Sequence, residues 1–101
     1  MAQTFNSFSE FYPFYLSEHS NRTCRRLHFI GSTMGLALGI KAIKSGRPGW
    51  AALGLAIGYG MSWIGHFGFE KNRPATFQHP LYSFMGDWVM WKDIATRKIE
   101  F

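Results

Sequence analysis

Apolar positions along this chain fall into four stretches separated by short polar breaks, and each stretch carries helical periodicity. In the first, Ser7-Phe8-Ser9-Glu10 has capping-box spacing. Phe8, Phe11, Tyr12, Tyr15, Leu16 and His19 then recur on one side of a helix placed at 5–19. Pro13 is expected to kink this helix or postpone its start. Ser20-Asn21 is the first break, followed by Arg22, Arg25 and Arg26. The apolar run from Leu27 to Ile43 is roughly 17 residues, short for a bilayer span of ~20. Lys41 and Lys44 can snorkel and lengthen it, which gives a first span over 22–44. Ser45-Gly46-Arg47-Pro48-Gly49 is a tight turn. The run from Trp50 to Phe69 supplies a second span over 48–70. Pro74 ends that helix, and Pro80 stands at the first position of a fourth, 80–97, with Leu81, Phe84, Met85, Trp88 and Val89 on its apolar face.

The expected fold is an all-α membrane protein. A two-span antiparallel helical hairpin is flanked by interfacial amphipathic N- and C-terminal helices, rich in rings that suit the lipid interface. The competing reading of the first helix is a soluble amphipathic helix on a small core. Gly31, Gly35 and Gly39 repeat GxxxG twice, and Gly54 and Gly58 repeat it once, which invites close backbone approach between the two spans.

Composition sharpens this picture only by its distribution. Mean hydropathy is −0.10, an average over an apolar glycine-rich middle and charged, aromatic ends. At 101 residues the chain is one domain. The net charge of +5 flanks apolar runs instead of striping a polar helix, which points to a membrane surface and away from nucleic acid. Lys41, Lys44 and Arg47 are the basic residues of the turn, whereas the other lysines and arginines lie toward the opposite end. An integral membrane protein with both termini on the cytoplasmic side follows. A two-span hairpin buries little area, which favours a homodimer. Cys24 is the single cysteine, so no intrachain disulfide forms.

The chemistry lies in the histidines, His19, His28, His66 and His79, all at the open end of the hairpin. His28 and His66 are equally far from Arg47, so an antiparallel hairpin brings them to one depth. Neutral imidazole is a common metal ligand, and histidines with a carboxylate suit non-haem iron. Glu70 lies one helical turn beyond His66, on the same face. Taken singly, each histidine also reads as a solvated or hydrogen-bonded side chain, Glu70 as a surface partner of Lys71 or Arg73, and Cys24 as a ligand or, the favoured reading, an inert thiol. Dinucleotide, phosphate-loop, zincin and nucleophile-elbow signatures are missing.

Phe11-Tyr12-x-x-Tyr15-Leu16, His19, Arg22, His28 and Gly31, then Gly65-His66 and Phe69-Glu70-Lys71-Asn72-Arg73-Pro74-Ala75, resemble the Mpo-type 2-hydroxy fatty acid dioxygenases. Pro-Ala-Thr-Phe, His79-Pro80 and Asp87 are similar to its compact bacterial branch, which implies a place in the bacterial inner membrane. The resemblance implies an Fe(II)-dependent enzyme of α-oxidation, shortening a long-chain 2-hydroxy fatty acid by one carbon, with membrane lipid and that acid as partners. Metal ligands come from His19, His28, His66 and His79. His28, His66 and Glu70 carry catalysis, with Glu70 behind the ligands, and Arg25, Arg26, Lys71 and Arg73 receive the head group. Characterised relatives have extra hydrophobic segments where this chain has its five-residue turn. Two rival classes are a non-enzymatic accessory membrane protein packing through its glycine faces, and a haem-binding subunit ligated by His28 and His66.

Overall fold

The computed structural model of the chain describes residues 4–74 and 77–101, so Ala75 and Thr76 of the motif above lie outside the described residues. Four α-helices make up the described fold: α1 (Phe8–Ser17), α2 (Arg22–Ser45), α3 (Gly49–Ile64) and α4 (Pro80–Ala95). A π-helical segment, Gly65–Glu70, prolongs α3.

Local chemistry sets the helix ends. The Ser7 side chain accepts from the Glu10 N–H and opens α1, which runs through Pro13 without stopping. The Asn21 side chain accepts from the Cys24 N–H at 3.2 Å and opens α2. Gly46, at φ 67°, closes α2 in the left-handed conformation that glycine adopts without steric cost.

Helices α2 and α3 pack as an antiparallel hairpin through glycine. A Cβ on Gly31 would stand 3.3 Å from the Gly58 Cα, and one on Gly54 would stand 3.0 Å from the Gly35 carbonyl oxygen. These pairs put the helices in register with His28 opposite Ser62, not opposite His66 as symmetry about Arg47 suggested. Gly39 takes no part in this contact, since a Cβ there would meet nothing within 4 Å.

The membrane architecture is overturned. Among the described residues no helix is long and apolar enough to cross a membrane. Helix α2 is long, but Arg22, Arg25, Arg26, Lys41 and Lys44 lie within it. Helix α3 has 16 residues, about 24 Å against a hydrocarbon core of ~30 Å. The two expected spans are therefore not spans, and the integral membrane placement with cytoplasmic termini falls with them.

The terminal helices are not the expected pair of interfacial helices either. They bury their rings against each other across the open end of the hairpin. Phe11 and Tyr15 of α1 and Met90 and Ile94 of α4 form a buried cluster, with Phe8, Tyr12, Phe29 and Tyr82 packed around it. A Cβ on Gly86 would lie 2.9 Å from the Tyr15 ring, so glycine is what lets α4 close over α1. The Tyr12 hydroxyl donates to Asp93 Oδ2 at 2.7 Å, and Trp91 Nε1 donates to Thr33 Oγ1 at 2.9 Å, tying α4 to α1 and α2.

Candidate metal centre

Three elements meet where α1 gives way to α2 and α3 to its π segment. His19 follows the end of α1, His28 stands on the first turns of α2, and His66 lies in the π segment; all three are buried. Their Nε2 atoms converge: His28 Nε2 lies 3.0 Å from that of His19 and 3.3 Å from that of His66. Cys24 joins them, one ligand atom from each of the four lying within 4.8 Å of the others. Two ligands ~2.1 Å from one ion stand ~3.0 Å apart at a right angle and ~3.4 Å apart at the tetrahedral angle. The observed spacings suit a shared ion.

The outer nitrogens decide where the protons are. His19 Nδ1 lies 2.6 Å from the Tyr15 carbonyl oxygen, which can only accept. His66 Nδ1 lies 2.8 Å from Asn72 Oδ1. That amide is oriented by its own Nδ2, which donates to the Glu18 carbonyl at 3.1 Å and to Glu18 Oε2 at 3.2 Å. Both imidazoles therefore carry the proton on Nδ1 and turn an Nε2 lone pair inward. His28 Nδ1 faces Asp87 Oδ1 at 3.6 Å, and Ser62 Oγ lies 2.6 Å from His28 Nε2. When neutral, the three inner nitrogens share at most one proton, and a bound cation relieves the repulsion between their lone pairs. Outer partners of this kind orient metal-binding histidines generally.

Burial keeps the cluster neutral. Desolvation, reinforced by the neighbouring His66, lowers His19 to about 3. Desolvation also places His28 well below its ordinary value, with His19 and His66 adding to the effect. His66 is lowered by the same cause, partly offset by Asn72 and Glu70. The Cys24 thiol is pushed up to about 12, chiefly by burial, and stays protonated unless a metal displaces the proton. Burial raises Asp87 to about 7 although the Tyr15 hydroxyl donates to it.

Other residues singled out in the sequence lie elsewhere. His79 is outside this group: it precedes α4, with its ring 5.2 Å from Phe5 and 5.5 Å from Phe11. Glu70 is not in the group of converging ligand atoms, although its charge raises His66. The i→i+5 winding of the π segment breaks the i, i+4 stacking expected of an α-helix. Its carboxylate accepts instead from the Asn21 N–H and, at 3.3 Å, from the Ser20 hydroxyl. The Arg25 guanidinium donates to the carbonyls of His19 (3.0 Å) and Ser20 (2.9 Å), and Arg26 donates to the Phe101 carbonyl at 3.1 Å. Lys71 and Arg73 are exposed. Conversely, Ser62, Asn72 and the pair Tyr15–Asp87 were given no role from sequence. Asn72 returns to His66 because Lys71 turns the chain at φ 62°, which no local pattern announces.

A family model described as "2-hydroxy-palmitic acid dioxygenase Mpo1-like" matches residues 5–99 of the chain. No curated protein and no solved structure matches it.

Proposed function

Because the chain belongs to the 2-hydroxy-palmitic acid dioxygenase Mpo1-like family, we propose that it is an Fe(II)-dependent dioxygenase acting on 2-hydroxy long-chain fatty acids, with His19, His28 and His66 as iron ligands. The observation that carries this reading is the inward convergence of three Nε2 atoms, two of them with their lone pairs fixed by Nδ1 partners. Bound iron supplies a Lewis acid for the carboxylate and hydroxyl of the substrate and a redox partner for dioxygen.

The chain's own residues do the rest. Tyr15 and Asn72 hold the outer protons of His19 and His66, so neither ring can flip its donor inward. Asp87 and Ser62 flank His28 and supply a carboxylate and a hydroxyl beside the candidate iron site. The Tyr15 ring, part of the aromatic cluster of α1 and α4, stacks on buried His19 at 4.1 Å and covers that face of it from water. The stoichiometry closes with dioxygen alone. The C1–C2 bond breaks, the carboxyl carbon leaves as carbon dioxide, C2 becomes the new carboxyl, and the remaining oxygen leaves in water.

Purified protein loaded with Fe(II) in air should convert 2-hydroxypalmitate to the acid one carbon shorter and leave palmitate untouched, since only the former chelates through a carboxylate and a hydroxyl oxygen in a five-membered ring. Product analysis by mass spectrometry checks both. His66→Ala should remove most of the iron and all of the turnover while the helical circular dichroism is retained. Iron-loaded, folded protein that leaves 2-hydroxy acids of every chain length intact would refute the assignment.

A further inference from the structure

A groove leaves the histidine cluster and follows the glycine faces of the hairpin. Its cavity of about 260 Å³ lies between α2, α3 and α4. The polar lining residues, His28, Ser32, Tyr59, Ser62 and Asp87, sit within about one helical turn of the cluster. Beyond them the lining is glycine and apolar, with Gly39 and Gly54 facing Leu55, Phe84 and Trp88. Gly35, Gly39, Ala51 and Trp88 also line a second groove, which carries the path on to Ile43 and Gly46 at the turn. A slot that is polar at one end and apolar along its length suits an amphiphile with one polar head.

Among the glycines that line this groove, Gly39 is the one that packing leaves unexplained. Gly31, Gly35 and Gly54 are required by the close approach of the two helices, whereas a Cβ on Gly39 would meet no atom within 4 Å. Glycine in a helix interior is destabilising relative to alanine. What it does at this position is keep the groove clear.

We infer that this groove holds the alkyl chain of the 2-hydroxy acid and that Gly39 sets the chain length accepted, an inference that rests on the reading of the metal centre given above. Gly39 lies eleven residues beyond His28, about 16 Å along α2. An extended alkyl chain advances about 1.2 Å per bond, as an extended backbone does over its three bonds per residue. With its head at His28, 2-hydroxypalmitate reaches Gly39, and 2-hydroxyoctanoate stops well short of it.

The test is binding, measured by calorimetry on the Fe(II)-loaded protein without oxygen, with each acid below its micellar concentration. Wild type should bind 2-hydroxypalmitate more tightly than 2-hydroxyoctanoate, by up to about fourfold for each additional methylene buried. Gly39→Phe should weaken 2-hydroxypalmitate by tenfold or more, with the 2-hydroxyoctanoate affinity and the iron content unchanged; those two values also report that the variant is folded. Ala51→Leu, which narrows the same groove, replaces it if Gly39→Phe does not fold. Equal affinities for the two acids in wild type would overturn the inference, as would a folded Gly39→Phe that binds 2-hydroxypalmitate as wild type does. Chain-length-dependent binding with no turnover in air would sink the dioxygenase reading and leave the groove standing. Turnover without any chain-length preference in binding would do the reverse.

Discussion

His19 and His66 are held from behind, and it is this outer contact, more than the histidine itself, that prepares the inner nitrogen for a metal. Asn72 shows the point. Its amide receives the His66 Nδ1 proton on one side and donates to Glu18 on the other, linking the π segment to the end of α1. Asn72→Ala should therefore weaken metal affinity about 10- to 100-fold, the usual effect of removing such a partner, as read by competition with a chromophoric chelator. His66 should remain in place, since the Asn72 N–H bonds the His66 carbonyl from the backbone at 3.1 Å whatever the side chain. A chelator titration indistinguishable from wild type would show that His66 needs no orientation from Asn72.

At the scale of the helices, glycines that look alike in sequence have different work. Gly54 faces the Gly35 carbonyl at 3.0 Å and the Leu38 Cβ at 3.2 Å from where its own Cβ would be, and a backbone oxygen cannot move aside cheaply. Gly54→Ala should lower stability by ~1–2 kcal/mol, overpacking outweighing the better helix propensity. Gly39→Ala meets nothing and should raise stability by up to ~1 kcal/mol. Urea unfolding followed by circular dichroism separates the two, and equal shifts of the same sign would contradict the glycine register described. The π segment belongs to the same scale. Gly65 passes Cys24 so closely that a Cβ would lie 3.0 Å from the sulfur, and the π segment that begins there carries His66 into the cluster with it.

For the molecule as a whole, buried neutral histidines make stability depend on pH. In the folded chain His19 is lowered to about 3, and His28 and His66 are lowered too, whereas in the unfolded chain all three titrate near ~6.5. Their contribution is present above ~6.5 and is lost as pH falls toward the folded values. Asp87 acts oppositely: raised to about 7 when folded, it contributes at low pH and loses that contribution as pH rises through about 7. Near pH 5 three imidazoles oppose one carboxyl, so the unfolded state holds up to about two more protons and acid destabilises the fold. The urea midpoint of metal-free protein should fall between about pH 7.5 and about pH 5. Saturation with a divalent metal should enlarge the difference, because protons then compete for the ligands. A flat profile would mean that the cluster is not buried and neutral.

The helical character of the chain, its turn signals and the motif that marks its family were legible in the sequence, because capping, periodicity and the Gly46 turn depend on neighbouring residues. The histidines were legible as a set of candidates for the same reason that their type is rare and their chemistry plain. What surrounds them was decided only in three dimensions. Apolar runs such as Leu27–Ile43 look alike whether lipid or protein covers them. Here the ring-rich faces of α1 and α4 close on each other over one end of the hairpin, and Arg22, Arg25 and Arg26 stay within α2 itself. The register of α2 against α3 came from glycine contacts and not from symmetry about Arg47. Glu70 bonds Asn21 and Ser20 across 49 and 50 residues, Ser62 meets His28 across 34, and Tyr15 meets Asp87 across 72. Contacts at such separations are set by packing, and no window read along the chain contains both partners.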